Sequence, residues 1–260
     1  VFNGIREVEE PMLFDNNKLD KSVPIPLYFQ LKELILSEIK SENYKDGDMI
    51  PTENEISDEF QISRTTVRQA VTELVQEGWL YRVKSKGTFV THPKINQDFL
   101  KKLESFQDQM KRLGMKPSTS VLELKKVKAD AEVAKALQIK EGAEVVYLFR
   151  KRFADGEPIV TIKTYLPANN CSFVMEHDLE KEALYEILAQ RDDTKIYRVS
   201  RTIEAVEAEK EDERLLNLPC GKPVQYFISV GYNTGGTPLE YSKARYRGDR
   251  NTFEITVFTE

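Results

Sequence analysis

Cysteine, histidine and tryptophan are scarce in this 260-residue chain: two cysteines, two histidines and one tryptophan. Cys171 and Cys220 show no metal-ligand spacing and are too few for a disulfide framework, which suits a reducing cytoplasm. His92 and His177 stand alone in the sequence, so a His-rich metal site or a histidine-based triad has little material. No apolar run is long enough to span a membrane, and no signal peptide is recognisable. No Gly-rich phosphate loop and no nucleophile–base pair stand out. No metal, no cofactor and no enzymatic activity are expected. Excess positive charge is missing too. The formal net charge of -5 argues against a general nucleic-acid coat, but a specific reader needs basic charge only where it meets phosphates.

The bulk of the chain is ordinary globular material, 40% hydrophobic and 10% aromatic, and long enough for two modest domains. Residues 1–23 mix Glu7, Glu9, Glu10, Asp15 and Asp20 with Asn16, Asn17 and Lys18 without helical or strand period, and are expected to form a mobile tail. The chain opens on Val1, with Met12 as a candidate start.

From Pro24 onward the pattern changes. Leu27, Leu31, Leu34, Ile35 and Ile39 recur at helical spacing, predicting an amphipathic helix over about 26–42 that Pro24 and Pro26 keep from extending backwards. Lys45-Asp46-Gly47-Asp48 reads as a turn. Thr52 followed three residues later by Glu55 makes a capping box for a second helix to about residue 60, which buries Ile56 and Phe60. After a tight turn at Gln61-Ile62, Ser63 can cap a third helix whose apolar face is Val67, Ala70, Val71, Leu74 and Val75.

The other face of that third helix begins with Arg64, Thr65, Thr66, Arg68 and Gln69. It is either a solvated polar face or the reading edge of a helix-turn-helix. Arginine can grip guanine and glutamine can pair with adenine, while hydroxyls suit phosphate oxygens. The segment after the helix favours the second reading. Leu80–Val83 and Thr88–Val90 are short strands joined by Lys84-Ser85-Lys86-Gly87, a hairpin with Arg82, Lys84 and Lys86 making its tip basic and Gly87 permitting the turn. The rest of this region is rich in acids, among them Glu33, Glu38, Glu42, Glu53, Glu55, Asp58 and Glu59. Positive charge is concentrated at Arg64, Arg68 and the hairpin, as an oriented reader requires.

The string from Pro26-Leu27-Tyr28-Phe29-Gln30 to Lys86-Gly87-Thr88-Phe89-Val90 resembles the winged-helix domain of GntR-family bacterial transcriptional regulators. The family's proline–serine–glutamate–arginine–glutamate appears as Pro51-Thr52-Glu53-Asn54-Glu55. Its serine–arginine–threonine–valine–arginine appears as Ser63-Arg64-Thr65-Thr66-Val67-Arg68, with one additional threonine. The resemblance implies a DNA-binding domain over 24–91, with Thr52, Asn54, Ser63, Arg64, Thr65, Thr66, Arg68, Gln69, Lys84, Ser85, Lys86 and Gly87 at the DNA. Asn54 stands where the family has an arginine that touches DNA, so the family's usual operator preference is not carried over.

Residues 92–98, with Pro93, read as a linker. Beyond it Phe99, Leu103, Phe106, Met110 and Leu113 continue at helical spacing to Gly114. A short helix is expected at Ala131–Leu137, strands at 145–153 and 159–166 around an Asp155-Gly156 hairpin turn, and a helix at about 180–190. A strand at 195–206, a helix at 210–216, a second hairpin of 224–232 with 239–247 and a final strand at 253–258 complete an α+β domain. Arg150 and Arg152 alternate on one strand and share a face. Two guanidiniums on one face call either for an anion between them or for salt bridges to neighbouring acids.

This half, 99–260, is similar to the UTRA domain, the effector-binding domain of the HutC subgroup of the same family and akin in fold to chorismate lyase. Ser105-Phe106, Arg150-Lys151-Arg152, Pro158 to Pro167, Glu240-Tyr241 and Tyr246-Arg247-Gly248-Asp249-Arg250 carry the likeness. It implies an antiparallel sheet and a small anionic effector, a phosphorylated sugar, held at phosphate by Arg150 and Arg152 with main chain near Phe106 and with Tyr185. Glu240 and Tyr246 serve the rest of the ligand. Ile162 stands where sugar-phosphate-responsive members carry a glutamate, so N-acetylglucosamine phosphate is not implied. The resemblance predicts a cytoplasmic homodimer on operator DNA, a repressor of a sugar or amino-sugar utilisation operon. The alternative is a chorismate-lyase-like enzyme fused to a DNA-binding domain.

Overall fold

The computed structural model describes residues 19–41, 43–97 and 104–256. The chain forms two compact units, Val1–Lys94 and Ile95–Glu260. In the first, α1 (Leu27–Lys40) starts directly after Pro26 and buries Leu31, Leu34, Ile35 and Ile39. Each such side chain contributes on the order of 1.5–3 kcal/mol of transfer free energy. α2 (Glu53–Phe60) carries the expected capping box. Thr52 Oγ1 accepts from the Glu55 amide at 3.3 Å, and Glu55 accepts from the Thr52 amide at 2.6 Å. Gln61, in the left-handed region at φ 51°, ends the helix. The turn into α3 (Arg64–Gln76) is closed by Ser63, whose hydroxyl accepts from the Thr66 amide at 3.1 Å. β1 (Leu80–Val83) and β2 (Gly87–Val90) form the antiparallel hairpin. Its Gly87 is required by the turn, and a Cβ there would also displace the flexible Met49 side chain. At φ +140° an added Cβ would lie 2.9 Å from Met49 Sδ.

The stretch expected to be a tail divides. Residues 1–18 lie outside the described residues, as do Glu42, Phe99 and Leu103. Residues 19–23 are tied down: Leu19 packs on the core, and Asp20 exchanges two hydrogen bonds of 2.9 Å with the Gln30 side chain.

In the second unit β3 (Ile95–Asn96) precedes α4 (Phe106–Arg112), β4 (Pro117–Lys128), α5 (Ala131–Leu137), β5 (Glu144–Ala154) and β6 (Glu157–Pro167). After them come α6 (Ala168–Cys171), a 3-10 turn (Ser172–Glu176), α7 (Leu184–Leu188), β7 (Arg198–Glu207), α8 (Lys210–Leu216), β8 (Pro223–Tyr232), β9 (Pro238–Arg247) and β10 (Asn251–Thr252). Six strands make one antiparallel sheet in the order β4-β5-β6-β9-β8-β7. Four differences from the sequence expectation stand out. β4, at a sheet edge, is a full strand that the sequence reading left unassigned; its first half is polar (Ser118, Thr119, Ser120) and its second half carries Leu122, Leu124 and Val127. Only residues 184–188 of the expected 180–190 helix are helical. Residues 253–256 of the expected last strand are irregular, and the strand lies just before them. Ile95 and Asn96, within the stretch read as a linker, pair in parallel with Asn251 and Thr252.

Candidate functional sites: a polar reading face and a cationic cavity

Most of the polar residues expected at DNA lie at the surface of the first unit. Asn54, Arg64, Thr65, Arg68, Gln69, Lys84, Ser85 and Lys86 are exposed, as are Thr52 and Ser63, while Thr66 and Gly87 are half-buried. Not all of them are available to a partner to the same degree. Thr52 and Ser63 use their hydroxyls as helix caps, and Thr66 bonds Ser63 at 2.8 Å. Arg68 Nε donates to Glu53 at 3.0 Å, and Gln69 reaches Glu73 at 3.4 Å. Arg82, expected at the basic tip, instead donates from Nη2 to Glu53 at 3.0 Å and to Thr72 at 3.1 Å. Its place at the middle of β1 sets it beside α3, which leaves Lys84 and Lys86 as the tip's cations.

The second unit holds a cavity of about 120 Å³ on one face of its sheet. Strand register explains its lining. Thr119, Arg152, Val160 and Tyr246 are successive partners across β4, β5, β6 and β9, and Arg150, Ile162, Ala244 and Phe227 form the next row across β5, β6, β9 and β8. All six residues expected to hold an effector, Phe106, Arg150, Arg152, Tyr185, Glu240 and Tyr246, line this one cavity. Phe106 comes from the start of α4, where Ser105 caps the helix by accepting from the Asp108 amide at 3.1 Å. Tyr185 comes from α7 and donates to Glu240 Oε2 at 2.5 Å.

Three arginines and three glutamates line the cavity, Arg150, Arg152 and Arg201 beside Glu104, Glu182 and Glu240. Arg150 is 3% exposed. The Nε atoms of Arg150 and Arg152 are buried and have no hydrogen-bond partner among the described residues. The Arg152 guanidinium sits 5.0 Å from the Phe106 ring centroid, a contact that offers a cation some compensation but no acceptor. Burial, and then the charge of Arg152, push the Arg150 pKa down to about 9, against the pull of Glu240. It stays above neutrality, so both guanidiniums are charged at pH 7. Burial also lowers Arg152, lifts Tyr246 to about 12, and with Glu240 lifts Tyr185 well above its usual range. Two like charges on one strand face, each with an Nε unfilled among the described residues, are chemically suited to an anion.

Sequence reasoning missed Arg201, Ser229, Ser242 and Thr119, which also line the cavity. Arg201 pairs with Ser229, and Ser229 with Ser242, so their place in the cavity follows from the register of β7 on β8 and of β8 on β9. The motif Tyr246-Arg247-Gly248-Asp249-Arg250 is mostly architecture. Arg247 binds Asp249 at 2.7 Å and the Leu216 carbonyl at 3.1 Å, Arg250 binds Glu157 at 2.6 Å, and a Cβ on Gly248 would meet the Pro223 carbonyl oxygen at 2.7 Å.

A capped helix-turn-helix with a basic hairpin in one unit and a polar cavity in the other define a DNA-binding transcription regulator with a small-molecule sensor. Residues 27–90 match the bacterial regulatory proteins of the gntR family, and residues 112–252 match the UTRA domain. The chain is 32% identical to the HTH-type transcriptional repressor NagR of Bacillus subtilis over 90% of its own length and 96% of that protein's. It is 28% identical to the histidine utilization repressor of Pseudomonas putida, over 89% and 92%. The crystal structure of PhnF from Mycobacterium smegmatis covers 86% of this chain and 98% of its own, with TM-score 0.66 and 28% identity. The chain belongs to the gntR family, in the HutC subgroup whose members carry a UTRA domain. Family membership also decides against the lyase-like enzyme: this is a transcription regulator. Among the described residues no helix is long and apolar enough to cross a membrane.

Proposed function

We propose that this regulator represses a sugar or amino-sugar utilisation operon and is released from its operator by a small phosphorylated sugar bound between Arg150 and Arg152. The observation that carries the reading is a pair of arginines lining one cavity, each with a buried Nε that has no hydrogen-bond partner among the described residues. A phosphate dianion supplies acceptors to both and offsets their mutual repulsion. Tyr185, Glu240 and Tyr246 are at hand for hydroxyl groups, and Ile162 gives the sugar an apolar wall. Relatives point the same way: NagR is named a repressor, and the similar proteins of Escherichia coli include a probable fructoselysine utilization operon repressor and the mannosyl-D-glycerate system repressor MngR. On the DNA side, Arg64, Thr65, Arg68, Gln69 and Asn54 read base edges, while Lys84, Ser85 and Lys86 with the main chain at Gly87 and the capped helix starts at Thr52, Ser63 and Thr66 meet the backbone. A homodimer presents two such readers to a palindromic operator, and effector binding alters how the two are presented.

The test is thermal shift against a panel of phosphorylated sugars beside their unphosphorylated parents. A ligand that binds the native state alone raises the melting temperature. The expected result is a shift with at least one phosphosugar, absent with its parent and absent in the Arg150→Ala/Arg152→Ala chain. Equal shifts with parent and phosphosugar would remove the phosphate from the reading.

A further inference from the structure

Glu53 occupies the first turn of α2, and its two carboxylate oxygens serve two different elements. Oε2 accepts from Arg68 Nε on α3 and Oε1 from Arg82 Nη2 on β1, each at 3.0 Å. One acid thus ties together α2, the reading helix and the wing. Its side chain is 27% exposed, and those of Arg68 and Arg82 are 67% and 42% exposed. Ion pairs this wet contribute little stability, on the order of 0–1 kcal/mol, so the arrangement is poorly explained as a stabilising device.

Its geometry suits another task. Arg68 gives Glu53 only its Nε–H, so both terminal amino groups remain for the fork that grips guanine. Without the carboxylate, a long exposed arginine at the second turn of α3 samples many rotamers and serves any phosphate equally well. The same carboxylate is a negative charge on a face that must approach a polyanion, so it opposes DNA of every sequence. We propose that Glu53 is a positioning residue for sequence reading. It holds Arg68 in the base-reading arrangement and links it through Arg82 to the wing; its charge lowers affinity for DNA of every sequence, so the gap between operator and non-operator comes from the positioned arginine. The inference rests on the reading of α3 and the wing as the DNA face.

The experiment uses the full chain and two probes: the duplex that the wild-type chain enriches from a randomised pool, and a scrambled duplex of the same composition. Glu53→Gln keeps the shape and removes the charge, and unchanged melting temperature verifies the fold. The expected result is several-fold tighter binding to the scrambled duplex, and a ratio of specific to scrambled affinity reduced by roughly tenfold, the discrimination of about one well-held base contact. In an Arg68→Ala background the same change should no longer move the ratio, because the group being positioned is gone. Glu53→Asp, shorter by one methylene, should fall between wild type and Glu53→Gln. A ratio unchanged by Glu53→Gln, with Arg68→Ala still weakening the enriched duplex, overturns the positioning role alone. Enriched-duplex binding unchanged by Arg68→Ala overturns the DNA-face reading beneath it.

Discussion

The two units use arginine in opposite ways. In the first unit Arg64, Arg68 and Arg82 are exposed, and the last two share a half-buried carboxylate. In the second unit Arg150 is 3% exposed, and it and Arg152 have buried nitrogens with no acceptor among the described residues. A hydrated guanidinium exchanges one set of weak partners for another when it meets phosphate, so binding is tuned by salt and reversible. A desolvated one has already lost its water, and an arriving anion restores interactions with nothing to displace but water in the cavity. The same side chain thus serves broad contact when wet and a sharp response to one ligand when dry.

Removing the dry pair should have the largest effect. Arg150→Ala/Arg152→Ala should weaken the phosphosugar of greatest thermal shift by more than about 100-fold, each charge-assisted contact contributing about 1.5–3 kcal/mol. DNA binding without ligand should stay near wild type, and calorimetry beside gel shift reads both. The contrast breaks if ligand affinity is unchanged. Next come the wet arginines. Arg64→Ala and Arg68→Ala should each cost about 1–3 kcal/mol on a specific duplex and relax preference at one base position. Unaltered binding by both variants would take them off the interface. Ser63→Ala, which removes the α3 cap, should cost about 1 kcal/mol of stability in the first unit, leaving calorimetric ligand affinity where it was. The smallest effect belongs to the wing. Lys84→Ala and Lys86→Ala should weaken specific and random duplexes alike, and lower the slope of log affinity against log salt by about one per lost phosphate contact. A changed base preference at constant slope would sink that assignment.

The first unit was legible because its signals are local. A capping box at Thr52–Glu55, a cap at Ser63 and a two-strand hairpin each lie within a few residues of sequence. The fork at Glu53 was not legible, since its partners are 15 and 29 residues away. In the second unit alternation exposed the shared face of Arg150 and Arg152, and resemblance supplied the other expected cavity residues. β4 was missed although Leu122 and Leu124 alternate with Glu123 and Lys125, because its polar first half and the Lys125-Lys126 pair blur the period, as an edge strand with half its surface in water allows. Arg201 hid because only the β7–β8–β9 register brings it to the cavity. The pairing of β3 with β10 joins residues far apart in the chain, Ile95 with Asn251 and Asn96 with Thr252, and no local pattern announces it.

That pairing has a mechanical side. The chain leaving Lys94 is anchored at once. Ile95 and Gln97 donate their amides to Arg250 and Thr252 at 2.7 and 2.8 Å, and the Gln97 side chain donates to Asn251 at 2.7 Å. Asn251, wholly buried, in turn holds the carbonyls of Ile159 and Arg247 at 3.2 and 2.8 Å. A tug on Lys94 is therefore borne by β6 and β9, the strands that carry Ile162 and Tyr246 to the cavity. The start of the second unit is thus riveted into its sheet within three residues, next to the strands that line the cavity.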